Sequence, residues 1–75
     1  MFDVNLVTAG RVRHYSVALH RADGWELTIE ENRTVRWREV VEDWHRVERR
    51  IERVRSEVEG LLEQGWTLQT ARGLM

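Results

Sequence analysis

The chain has 75 residues, no cysteine and a formal net charge of −1, and its twelve basic residues are all arginine. This length predicts a single domain (residues 1–75) that buries only about 60–65% of its unfolded surface. The lack of cysteine excludes disulfides, thiolate metal sites and thiol nucleophiles, so oligomerisation is the expected supplement to a thin core. The balanced charge gives no strong overall field toward nucleic acid or a membrane.

The first ten residues, MFDVNLVTAG, have neither the basic region nor the apolar core of a signal peptide. No later segment approaches the roughly 18 consecutive apolar residues that a membrane-spanning helix needs. We therefore expect a cytoplasmic protein that does not contact a membrane.

Alternating apolar residues predict the first strands. Residues 2–6 alternate and are followed by a turn at Ala9-Gly10, while residues 13–20 and 25–30 alternate on either side of a glycine-containing turn and predict a β-hairpin. The register that keeps large apolar residues on one face pairs Leu19 with Trp25, Val17 with Leu27, and Tyr15 with Ile29. Ser16 then pairs with Thr28 and His14 with Glu30 on a polar face, as in an antiparallel sheet.

Residues 34–42 fit either a strand or a backward extension of the following helix, and we favour a strand over 34–40. Asp43 is a suitable N-cap for a helix over 43–64. Gly65 suits the left-handed position after a helix, where Leu61 and Trp66 occupy the contacting sites of a Schellman motif. The predicted fold class is α+β, with a small antiparallel sheet of three to four strands, one long helix near the C-terminus and a short final strand.

The helix carries apolar residues spaced three and four apart, in the a and d positions of a heptad: Trp44, Val47, Ile51, Val54, Val58 and Leu61. A 22-residue helix is about 33 Å long, whereas six or seven strand residues span only about 20–23 Å. The helix therefore overhangs its sheet unless it lies diagonally. The stripe predicts a homodimer through this helix, and packing on the chain's own sheet is the alternative.

Charged residues beside the stripe favour antiparallel over parallel helices. In an antiparallel dimer, Glu48 lies near Arg55 of the partner and Arg50 near Glu57 of the partner. In a parallel dimer, Asp43 would oppose Glu48 and Arg50 would oppose Arg55, and both contacts are repulsive.

The histidines do not predict a metal or catalytic site. His14 and His20 are about 20 Å apart in a regular strand, and His45 faces solvent on the helix. The acid–base pair His14 and Glu30 is interpreted as a cross-strand contact. No phosphate loop, zinc-binding helix or nucleophile motif is present, so we expect no enzyme activity, no catalytic residue, no cofactor and no metal.

Two further features concern ligands. The chain contains four tryptophans, and core packing is expected for three of them, with Trp37 as the candidate exposed residue. Arg46, Arg49, Arg50 and Arg53 cluster on the helix surface, and Arg46, Arg49 and Arg53 are the possible nucleic-acid contacts. We expect a protein–protein interaction domain that self-associates, with nucleic-acid binding as the alternative.

The segments Tyr15-Ser-Val-Ala-Leu, Gly24-Trp25-Glu-Leu-Thr-Ile and Leu61-Leu62-Glu-Gln-Gly65 resemble HicB-type antitoxin domains in their order, over about residues 13–70. The family usually has a Pro-Asp/Glu-Leu-Pro-Gly segment after the second strand, where this chain has residues 30–33 as Glu-Glu-Asn-Arg. The resemblance implies a β-β-β-α-β order and a homodimer that binds a small RNA-cleaving toxin. It transfers no functional residue.

Overall fold

A computed structural model describes residues 2–20 and 24–72, which form one antiparallel sheet and one helix. The elements along the chain are β1 (Phe2–Thr8), β2 (Arg11–Leu19), β3 (Trp25–Glu31), β4 (Thr34–Val41), α1 (Trp44–Glu63) and β5 (Thr67–Arg72). The five strands lie in the order β4-β3-β2-β1-β5, so β4 and β5 form the two edges. The predicted α+β class is confirmed, and the short final strand completes the same sheet.

The predicted hairpin register is confirmed along the whole of β2 and β3. Tyr15 pairs with Ile29, Val17 with Leu27, and Leu19 with Trp25. The ambiguous segment is a strand, because Thr34–Val41 pairs with β3 along its length. A bulge between Ile29 and Glu30 shifts this second register by one residue.

The core lies between the sheet and α1 because each strand directs alternate side chains to the same face. Its most completely buried aliphatic residues are Val4, Leu6 and Val47, each fully shielded from solvent. The remaining buried apolar residues are Phe2, Tyr15, Val17, Leu27, Val41, Val58, Leu61 and Trp66. Trp25, Ile29, Ile51 and Val54 pack against this core while half-buried.

Both ends of α1 have the predicted caps. The Asp43 side chain accepts a hydrogen bond from the His45 backbone N–H at 3.0 Å. At the other end, the backbone N–H of Trp66 donates to the carbonyl of Leu61, and that of Gly65 donates to the carbonyl of Leu62. These two bonds define a Schellman motif, and the φ of +103° at Gly65 is one that favours glycine.

The helix crosses the sheet obliquely, from the β4 edge toward β5. Arg50, near its start, is bonded to Glu39 on β4, while Glu57 accepts a hydrogen bond from Tyr15 on β2. Trp66, just after the helix, lies under the guanidinium of Arg11 at the far end of β2. This oblique path is how a helix longer than the strands stays in contact with its own sheet.

Most of the apolar stripe therefore packs on the chain's own sheet, which was the alternative to a dimer seam. Val47, Val58 and Leu61 are buried in the chain's own core, and Ile51 and Val54 pack against it. Trp44 is 39% exposed at the first turn of the helix. The homodimer stays a prediction.

Two glycine substitutions near the end of α1 are expected to have opposite effects on stability. An added Cβ at either Gly60 or Gly65 meets no atom within 4 Å, so backbone conformation alone decides the sign. Gly60→Ala is expected to raise the free energy of unfolding by up to about 1 kcal/mol, because alanine is the better helix former. Gly65→Ala is expected to lower it by about 1–2 kcal/mol, because a Cβ disfavours positive φ. Urea denaturation measures both, and a change of the same sign in the two variants would contradict the assigned cap.

Candidate binding cleft and helix flanks

An open cleft of about 270 Å³ lies between one side of α1 and the strands beside it. Its floor contains Val17, Leu27 and Ile29, which the alternation of β2 and β3 directs toward the helix. Among the described residues, the lining is Phe2, Tyr15, Ser16, Val17, Leu27, Thr28, Ile29, Trp37, Arg50, Arg53, Val54 and Glu57. The cleft therefore combines an apolar floor with one aromatic wall and a charged helical wall.

A polar chain of contacts runs from Glu57 and Tyr15 in the cleft lining to Arg13 and Glu31. The hydroxyl of Tyr15 donates to the carboxylate of Glu57, and Arg13 Nη1 approaches the Tyr15 oxygen at 3.5 Å. Arg13 Nη2 also bonds Glu31 at 2.6 Å, and the hydrogen bonds from Arg13 and Arg11 hold the pKa of the Glu31 carboxyl below its usual value. Burial, together with the hydrogen bond to Glu57, raises the pKa of Tyr15 to about 12. Tyr15 is thus a neutral donor at physiological pH.

One side of α1, which we call the basic flank, consists of Arg46, Arg49, Arg50 and Arg53. Arg50 is neutralised by Glu39 on β4 through two hydrogen bonds of 3.0 and 3.2 Å. The other three side chains are exposed, and none lies within 4.0 Å of a carboxylate in the part of the chain that the structure describes. They are the three arginines that the sequence singled out as possible nucleic-acid contacts, and Arg53 lines the cleft.

The opposite side of the helix, which we call the acidic flank, consists of Trp44, Glu48, Glu52, Arg55, Glu59 and Leu62. Its apolar ends, Trp44 and Leu62, are 39% and 40% exposed. Glu52 lies 3.5 Å from Arg55, and Glu48 lies 3.5 Å from His45. The two flanks therefore differ in charge, with four arginines on the basic flank and three glutamates and one arginine on the acidic flank.

The residues predicted to form ion pairs across a dimer divide between the two flanks. Arg50 and Glu57 already have partners within the chain, in Glu39 and Tyr15. Glu48 and Arg55 lie on the acidic flank, where Glu48 is 55% and Arg55 is 36% exposed. Glu48 and Arg55 are thus the predicted pair that lies on the exposed side of the helix.

The tryptophans occupy different environments. Trp66 is buried, with the guanidinium groups of Arg11 and Arg13 at 4.9 and 5.3 Å from its ring. The rings of Trp25 and Trp44 are in contact, with centroids 5.0 Å apart. Trp37 is 53% exposed, as expected, and lines the cleft. The expectation of core packing for the other three was wrong for Trp44, which is 39% exposed at the first turn of α1.

The histidines lie among carboxylates on the surface. His14 faces Glu30 at 3.9 Å as expected, but its nearer partner is Asp3 of β1, at 2.5 Å. The His45 side chain is 83% exposed. Among residues 2–20 and 24–72, no group of three or more histidine, aspartate or glutamate side chains is placed to hold a metal ion.

Comparisons of the chain with protein family models, with curated proteins and with solved structures found no match. Within the described residues, no helix combines the length and the apolar character needed to cross a bilayer.

Tyr15 offers a direct test of the cleft geometry because it is the only tyrosine in the chain. We expect its phenolate to appear with a midpoint near pH 12, rather than at the ordinary value of about 10, in an ultraviolet absorbance titration of the folded protein. Because the folded pKa is the higher one, this group stabilises the fold fully below about pH 10 and loses its contribution as pH rises through about 12.

The variant Glu57→Gln separates the two causes of this shift. Removing the carboxylate is expected to lower the Tyr15 midpoint, but burial is the larger cause and keeps the midpoint above that of free tyrosine. A midpoint near 10 in the native wild-type protein would contradict the burial of Tyr15 beneath the helix.

Proposed function

We propose that this chain is a non-enzymatic interaction domain that self-associates through the acidic flank of α1, with the two helices antiparallel. The observation that carries the proposal is the exposure of Trp44 and Leu62 at opposite ends of that flank, with Glu48 and Arg55 between them. Exposed apolar residues at the two ends of a helix are suited to meet each other in a two-fold arrangement.

The antiparallel orientation follows from the order of these residues. It brings Trp44 of one protomer to Leu62 of the other, and Glu48 to Arg55 of the other, each contact occurring twice. A parallel, in-register pair would instead set Glu48 against Glu48 and Arg55 against Arg55. Each exposed ion pair contributes only about 0.2–1 kcal/mol, so the charges select orientation and the apolar ends supply most of the affinity.

This interface differs from a full heptad seam, because Val47, Val58 and Leu61 are already buried in the core. Ile51 is half-buried against the same core and contributes only its exposed edge. A seam of one helix flank is small, so we expect weak association that depends on concentration.

A second protein is the further partner that the proposal includes. The resemblance to HicB-type domains supports an antitoxin-like role, in which the dimer would bind a toxin, as a hypothesis only. The cytoplasmic location likewise stays a prediction from the sequence.

Sedimentation velocity over a wide concentration range tests the self-association. Wild type is expected to shift from monomer to dimer as concentration rises, and Leu62→Glu is expected to remain monomeric because it places a carboxylate opposite Trp44. Val12→Glu is the matched control, since Val12 on β2 is exposed to a similar extent, 43% against 40% for Leu62.

A charge exchange tests the orientation. Glu48→Arg is expected to weaken the dimer, and the double variant Glu48→Arg/Arg55→Glu is expected to restore it because the pair is reversed on both sides.

Equal weakening by Val12→Glu and Leu62→Glu, or a wild type that is monomeric at every concentration, would contradict the proposal. Ile51→Glu is unsuitable here, because that side chain also packs against the core.

A further inference from the structure

We infer that the cleft, with Trp37 on one wall and Arg50 and Arg53 of the basic flank on the other, binds a single-stranded nucleic acid. The cleft lies on the opposite side of α1 from the acidic flank, so this activity is independent of self-association.

The first argument is local charge. The chain as a whole carries −1, but four arginines lie together on the basic flank of α1. Glu39 is held by Arg50, and Glu57 accepts from Tyr15. Glu57 keeps its charge at the edge of the cleft, but Arg46, Arg49 and Arg53 are exposed and have no described carboxylate within 4.0 Å, so they form a basic stripe. Arg46 and Arg53 are seven residues apart, a separation of about 10 Å along the helix axis.

The second argument is the presence of an exposed aromatic ring beside that charge. Trp37 is 53% exposed and shares the cleft lining with Arg50 and Arg53. An aromatic side chain at the edge of a positively charged groove is the arrangement on which bases of single strands stack. The apolar floor under Trp37 would receive one face of a base while the arginines contact the backbone phosphates.

The geometry favours a single strand over a duplex and over an acidic peptide. A base stacked on Trp37 inside a cavity of about 270 Å³ must be unpaired, which a duplex does not offer. An acidic peptide would use the arginines but has no flat group that requires the exposed Trp37 ring. The nucleic acid is therefore the ligand that uses both walls of the cleft.

Fluorescence polarisation with labelled oligo(dT) and oligo(U), measured over a series of salt concentrations, tests this inference. Trp37→Ala is expected to weaken binding by about tenfold or more because one base loses its stacking partner, while Trp37→Phe retains most of the affinity. Arg53→Glu is expected to weaken binding several-fold at low salt. It is also expected to reduce the slope of log K against log salt by about 0.7, the value for one phosphate contact on a single strand.

The matched control is Arg33→Glu, which makes the same change in net charge in the exposed turn between β3 and β4. It is expected to leave both affinity and salt slope close to those of wild type. Thermal unfolding of each variant confirms that the fold is retained, which is expected because Trp37, Arg53 and Arg33 are all exposed.

Three outcomes would overturn the inference. The first is no binding of either oligonucleotide at low salt. The second is equal weakening by Arg33→Glu and Arg53→Glu with no effect of Trp37→Ala, which would indicate general electrostatic attraction outside the cleft. The third is an oligoglutamate peptide that binds as tightly as the oligonucleotides and depends equally on Trp37, which would identify the cleft as a peptide site.

Discussion

Two side-chain contacts hold α1 at the oblique angle at which it crosses the sheet. Arg50 is bonded to Glu39 on the edge strand β4, and Glu57, two helical turns further on, accepts from Tyr15 on the central strand β2. Apolar burial holds the helix against the sheet, and the short links to β4 and β5 at opposite edges require an oblique path. Hydrogen bonds are directional, and these two join the same flank of α1 to strands at different positions in the sheet. The cleft exists because this angle leaves a gap beside the helix, over Ile29 and Trp37.

The same two contacts decide which charges remain available. The Glu39 carboxylate is neutralised by Arg50, whereas Glu57 is bonded to the uncharged Tyr15 hydroxyl and keeps its negative charge beside the basic flank. Arg50 is thus no longer available for pairing with another protomer. A chain whose net charge is close to zero can therefore carry a helix with a basic side toward the cleft and an acidic side toward solvent. A net charge near zero describes solubility and long-range attraction, and it does not describe such a surface.

The parts of the fold that were predictable from sequence depend on residues close together in the chain. The β2–β3 register follows from alternation around one turn, and the Schellman motif follows from the spacing of Leu61, Gly65 and Trp66. The proximity of Asp3 to His14 was missed because it depends on how β1 lies against β2. The bond between Glu39 and Arg50 was missed because it joins two elements whose mutual angle no local pattern encodes. The sequence suggested Trp37 as an exposed residue, because it alternates with arginines like a residue of a strand. Its exposure depends on the oblique path of the helix, which leaves the ring uncovered.

The helix period explains why the apolar stripe allows two interpretations and how both can apply to one helix. A straight helix drifts by about 20° per heptad relative to a strict 3.5-residue repeat. A stripe centred on the sheet at Val47 and Val58 therefore turns toward one side at its first residue, and Trp44 is 39% exposed there. That side is the acidic flank, where Leu62 occupies the other end. A second helix that packs antiparallel along this flank buries Trp44 against Leu62 without removing Val47 or Val58 from the core, so intrachain packing and self-association use different members of the same set of residues.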